Sequence, residues 1–218
     1  MTFQQILSYI KAGRNFHFVR YGDGELGIMF NDPKIMAIVV KRHGDREGLE
    51  KAGRIMHTDI ERLALATPVD LYCGIQPMGY AMFEEQVDQL FKGVTTCSAQ
   101  ALHHASEAGK LKQFTDLLKG RRVIVIGRDY LSKLPFEHIH IPTQENLVWR
   151  QVDWITTSLK QNLKKGDIVL WCASIATNIG MLQTYRPDVT QIDCGSVFDP
   201  YCFAPTRKYH HSLKDLTL

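Results

Sequence analysis

The chain has 218 residues, of which 44% are hydrophobic, enough to fill the core of a single domain. Its 26 basic and 23 acidic residues leave a formal charge of +3, too balanced to bind a polyanion through overall field alone. Five cysteines with no CxxC pair exclude a disulfide framework and a structural zinc cluster, and they suit a reducing cytoplasm. Residues 1–15 lack a continuous apolar stretch, and no segment approaches the roughly 20 apolar residues of a spanning helix. The expectation is a cytoplasmic protein without signal peptide or membrane anchor.

Taken in chain order, short apolar runs rich in β-branched residues recur. They are FHFVRYG (16–22), VDLYCGI (69–75), RVIVIG (122–127), HIHIP (138–142), DIVLWCA (167–173) and TQIDCG (190–195), and they read as buried strands. Between the first two, residues 45–65 carry Leu49, Ala52, Ile55, Met56, Ile60 and Leu63 at helical spacing with charges outside. Residues 82–119 are helical in character and interrupt the alternation, which suggests a small lobe over the sheet edge. Residues 147–165 predict another helix, with Val148, Val152, Ile155, Leu159 and Leu163 on one face and a stop at Lys164, Lys165 and Gly166.

Strands alternating with helices imply an α/β, Rossmann-like architecture. Its sheet would be mostly parallel with helices on both faces, since parallel neighbours need a crossover long enough to hold a helix. No repeat, low-complexity tract or linker divides residues 1–218, so one domain is expected. Ligands of such sheets sit beyond the carboxyl ends of the strands.

At the end of the first run, Arg20, Gly22, Asp23 and Glu25 crowd together. Two carboxylates one residue apart can reach one divalent cation, and hard oxygen ligands favour magnesium or manganese over zinc. Gly24 lets a ligand approach the backbone, and the planar fork of Arg20 matches phosphate oxygens. The competing reading is an Asp cap, a first-turn Glu and a surface ion pair.

Four blocks in order, VRYGDGEL (19–26), IHIPTQENLVW (139–149), VLWCASIATNIGMLQ (169–183) and IDCGSVFDPY (192–201), resemble the GT-D-type glycosyltransferases. The likeness spans residues 16–201 and is loosest over 45–120. It implies a nucleotide-sugar-binding catalytic domain in which Asp23 and Glu25 hold manganese or magnesium against the donor diphosphate, with Arg20 assisting. A UDP-sugar is the first donor to consider.

Beside that implication, Ser174, Thr177 and Asn178 open a helix after the 167–173 run, where they and free backbone N–H groups can hold phosphate or sugar hydroxyls. Thr143 and Asn146, with Gln144 and Glu145, can contact base, ribose or sugar. Helix capping is the competing reading for both groups. Asp193 and Asp199 are candidates for the base that deprotonates an acceptor hydroxyl. Relatives often carry His after the glycine of this segment, whereas this chain has Ser196.

The resemblance implies a glycan or a hydroxymethylated DNA base as acceptor, and the mildly basic segment 206–214 leans slightly to the latter. A non-catalytic nucleotide-sugar-binding protein and a metal-dependent phosphohydrolase are the alternatives. The sequence lacks the GxxxxGK[ST], GxGxxG and GxSxG fingerprints of kinases, dehydrogenases and serine hydrolases. His138 and His140 share a strand face without a third metal ligand nearby. The adjacent pairs His103–His104 and His210–His211 read as surface residues whose side chains diverge, and 206–214 as a solvated end.

Overall fold

A computed structural model describes residues 1–144, 148–213 and 218. Seven strands, His17–Tyr21 (β1), Leu71–Ile75 (β2), Thr95–Ser98 (β3), Val123–Gly127 (β4), Ile139–Pro142 (β5), Ile168–Cys172 (β6) and Thr190–Asp193 (β7), form one sheet. Its order is β3-β2-β1-β7-β6-β4-β5, and every adjacent pair is parallel. The helices are Phe3–Ala12 (α1), Asp23–Met29 (α2), Pro33–His43 (α3), Arg46–Ala66 (α4), Pro77–Met82 (α5), Glu84–Leu90 (α6), Ala101–Glu107 (α7), Leu111–Leu118 (α8), Val152–Asn162 (α9), Ile175–Gln183 (α10) and Asp199–Cys202 (α11). No helix of the described residues is long and apolar enough to cross a membrane.

Alternation along each strand divides the core in two. Val19, Tyr21, Ile126, Val169 and Trp171 face a layer built from α2, α4, α9 and α10. Phe18, Val125, Leu170 and Ile192 face α1, α7 and α8. The helices are set by local signals. Asp32 Oδ1 accepts from the backbone N–H groups of Lys34 and Ile35 ahead of α3, with Pro33 in the first turn. Asp45 caps α4 through the Gly48 N–H. Gly53 lets α4 cross α2 closely, since a Cβ there would lie 2.3 Å from the Ile28 carbonyl oxygen.

All six expected strands are present, with ends shifted by one or two residues. The stretch 82–119 holds α6, α7 and α8 and also the edge strand β3, which the sequence reading lacked. The expected helix 147–165 begins as a 3₁₀ turn, Val148–Gln151, and becomes α-helical at Val152; residue 147 lies outside the described residues.

The strand order creates a crevice. The chain leaving β1 turns to one face, where Leu26 and Ile28 of α2 join the α4 layer. The chain leaving β7 turns to the other, where Val197, Phe198 and Cys202 join the α8 layer. Neighbouring strands whose connections diverge to opposite faces open a gap at their carboxyl ends, where ligands of open α/β sheets bind.

Candidate active site

Arg20, near the end of β1, forms one wall of that crevice. Its backbone N–H donates to Asp193 Oδ2 (3.2 Å), and its carbonyl accepts from Asn178 Nδ2 (2.6 Å). The side-chain atoms Nε and Nη1 are buried with no hydrogen-bond partner among the described residues. A buried guanidinium lacking an acceptor carries a desolvation cost that an anionic ligand would offset. Opposite it, Gly195 has φ +53°, and a Cβ there would stand 2.7 Å from Arg20 Nη1. The glycine is required both by the left-handed backbone and by the guanidinium beside it.

Asp23 and Glu25 occupy the first turn of α2, where carboxylates complement the positive end of the helix. Glu25 Oε2 accepts from the Gly22 N–H (3.0 Å), and the Asp23 N–H donates to Gln76 Oε1 (3.3 Å) at the end of β2. The Glu25 carboxylate thus caps its own helix through one oxygen. Both residues are partly exposed.

Asp193 ends β7, 6% exposed, and Oδ1 accepts from the Gly195 N–H (2.9 Å). Burial pushes its carboxyl up to about 6; the Arg20 charge opposes the shift and the Glu25 carboxylate adds to it. Glu25 and Asp193 therefore feel each other across the crevice. No group of three or more His, Cys, Asp or Glu side chains arranged to enclose a metal occurs among the described residues. Asp23 and Glu25 nonetheless fit magnesium or manganese as a donor set, since such ions are commonly held by one or two carboxylates, with waters and substrate phosphates completing the shell.

Asp199 is placed differently. It is 8% exposed; Oδ1 accepts from the Tyr130 hydroxyl (2.7 Å) and Oδ2 from the Thr206 hydroxyl. Both oxygens are engaged in tying the 129–133 turn and the 206 segment to α11.

Ser174 lies between β6 and α10 with φ +49° and ψ −137°, a conformation rare for a residue with a side chain, and it is exposed. Thr177 and Asn178 are buried, at 0% and 1% exposed. Thr177 Oγ1 accepts from the Ala173 N–H (3.1 Å), and the Asn178 amide bonds the Arg20 carbonyl. These two residues hold the turn and β1 in place from within. Thr143 follows β5, four strands from β1, which at about 4.8 Å per strand puts it roughly 19 Å away across the sheet. Asn146 and Glu145 lie outside the described residues.

Two groups were misread as surface. His103 (9% exposed) and His210 (2% exposed) are buried, while their neighbours His104 and His211 are exposed. The adjacent side chains do diverge, and divergence sent one of each pair inward. Residues 206–213 are likewise not merely a solvated end: a 3₁₀ turn, Lys208–Ser212, packs against α7. His138 Nδ1 and His140 Nε2 lie 2.8 Å and 3.1 Å from the carbonyl oxygens of Phe136 and Gly127, which gives both imidazoles backbone partners.

Two solved structures share this arrangement of elements. One, the selenomethionine-substituted structure of domain of unknown function 1792, superposes with a TM-score of 0.62 at 16% identity over 90% of this chain and 78% of its own. The chain has the fold of these domains. The other, described as the highly conserved domain of unknown function 1792 with a distinct glycosyltransferase fold, gives 0.61 at 15% identity with the same coverage. No family model and no curated protein matches the sequence.

Proposed function

We propose that this chain is a glycosyltransferase that moves a sugar from a nucleoside-diphosphate donor to an acceptor hydroxyl. The observation that carries the reading is the convergence, at the β1–β7 crevice, of Asp23 and Glu25 with the unpartnered guanidinium of Arg20 and the perturbed carboxyl of Asp193. The likeness to a domain described as having a glycosyltransferase fold supports it.

In this reading Asp23 and Glu25 hold a manganese or magnesium ion, which when bound supplies positive charge beside the donor's phosphates. Arg20 donates hydrogen bonds to the same phosphates, and the backbone N–H groups opening α10 at Ser174 add to the positive field. Asp193 accepts the proton of the acceptor hydroxyl as its oxygen bonds the anomeric carbon and the bond to the phosphate oxygen breaks. A carboxyl raised to about 6 is largely ionised at pH 7 yet more basic than an ordinary aspartate, which suits this role. The raised carboxyl of Asp193, which lies at the crevice beside Arg20 and Gly195, favours it over Asp199 as the base. The donor is a UDP-sugar in the first instance, and the acceptor a glycan or a hydroxymethylated DNA base.

Thermal-shift measurements with UDP-, GDP- and dTDP-sugars, with and without manganese, identify the donor, because a ligand of the folded state raises its melting point. Asp23→Ala and Glu25→Ala should each abolish metal-dependent release of nucleoside diphosphate; undiminished turnover in both removes the mechanism. Binding to hydroxymethylated duplex DNA that weakens steeply with salt selects DNA as acceptor, since phosphate contacts release counterions and glycan contacts do not.

A further inference from the structure

Behind Arg20, on the α7 side of the sheet, the structure gathers further basic groups that the transfer chemistry above does not use. His210 Nδ1 lies 3.0 Å from the backbone N of Thr206 and 3.2 Å from that of Arg207 and accepts from both. Two donors on Nδ1 place the ring hydrogen on Nε2. That Nε2 is buried without a partner among the described residues, on a residue 2% exposed. His103 Nδ1 on α7 is likewise buried and unpartnered. The Tyr209 ring sits between the two imidazoles, with centroids 5.1 Å from His103 and 4.2 Å from His210.

Arg207 reaches Ser196 Oγ through Nε at 3.4 Å, beside the glycine that abuts Arg20. The groups sense one another: the His103 imidazole is pushed down to about 2, first by burial and then by the positive charges of Arg20, His210 and Arg207. Of the nearby acidic groups, Asp199 accepts from two hydroxyls and Asp193 from two backbone N–H groups. Buried polar atoms ordinarily have partners, whereas among the described residues Arg20 Nε and Nη1, His103 Nδ1 and His210 Nε2 are buried without one.

We propose that His103, Arg207 and His210, together with Arg20, which borders both sites, form a pocket for a phosphate group on the other side of β1 from the Asp23–Glu25 pair. The phosphate is either the terminal phosphate of the nucleoside-diphosphate donor or a phosphate carried by the acceptor. The first case deepens the glycosyltransferase reading and rests on it; the pocket itself does not, because it requires no divalent ion.

The test is calorimetric titration of the full chain with inorganic phosphate and with pyrophosphate, in the presence of a chelator, alongside side-chain ¹⁵N spectra of the histidines. Saturable binding that shifts the His103 and His210 resonances, weakens at least about tenfold in Arg207→Gln and His210→Gln, and is unchanged in Asp23→Asn is expected. Absence of saturable binding, or binding that leaves the histidine signals of the unmodified protein untouched, overturns the proposal even if a variant fails to fold. Displacement of pyrophosphate by UDP in the same titration assigns the pocket to the donor, and simultaneous binding of both assigns it to the acceptor. Loss of turnover in Asp23→Ala and Glu25→Ala tests the carboxylate pair alone, so the two ideas fail separately.

Discussion

Gly24, between Asp23 and Glu25, gives the most discriminating perturbation. It lies in the first turn of α2 without a positive φ, and a Cβ built on it meets no atom within 4 Å. Nothing inside the protein needs a glycine there. Alanine is favoured over glycine in a helix by about 0.5–1 kcal/mol. At about 2–4 °C per kcal/mol for a chain of this size, Gly24→Ala should melt about 1–4 °C higher than the unmodified protein.

If the donor lies against the Asp-Gly-Glu turn, the same methyl intrudes on it. A misfit of about 1.4 kcal/mol, within the usual range for overpacking, lowers kcat/KM about tenfold. Differential scanning fluorimetry reads the first quantity and nucleoside-diphosphate release the second. A variant that melts at or above the unmodified temperature and turns over with unaltered kcat/KM would place the ligand elsewhere; one that melts lower would refute the open space drawn at this turn.

Gly195→Ala should behave in the opposite way, losing about 1–2 kcal/mol to the left-handed backbone and melting about 2–8 °C lower, while the displaced Arg20 weakens phosphate binding in titration. Turnover should rise with pH through an apparent pKa near 6 as Asp193 loses its proton, and the acid limb should vanish with the residual rate of Asp193→Asn. Because that folded-state value lies above the unfolded one, the same group makes the fold less stable as pH climbs from about 4 to 6, a slope that urea melts of Asp193→Asn should lack. Asp45 has the reverse sign. Its carboxylate accepts from Arg150 Nε and Nη2 (both 2.8 Å), Trp149 Nε1 (2.9 Å) and the Gly48 N–H, which holds it far below the usual range. Its contribution is present above about pH 4 and fades on acidification, so Asp45→Asn should show a flatter decline in urea midpoint below pH 4.

The central sheet was legible because runs such as VIVIG and IVLWC are buried on both faces and hence apolar. β3, with the sequence TTCS, could not be read: an edge strand pairs on one side only and is mostly exposed here, so its polar residues carry no apolar run. Asp23, Glu25 and Arg20 could be singled out in the sequence because a strand end, a glycine and charges coincide in one short segment. His103 and His210 were missed for a physical reason. Their burial depends on α7 meeting a turn more than a hundred residues later, and no local period encodes that meeting. Thr177 and Asn178 sit in the expected turn, but sequence position does not reveal that their polar atoms point into the fold.

The pairing of β1 with β7, His17 against Gln191, has a consequence for how the chain forms its crevice. The central seam of the sheet joins segments from opposite ends of the polypeptide, a contact of very high sequence separation of the kind that slows folding. The Asp23–Glu25 turn follows the first of these segments and Asp193 ends the second. Until that seam closes there is no cleft, so a chain lacking β7 would carry Asp23 and Glu25 without the crevice they border.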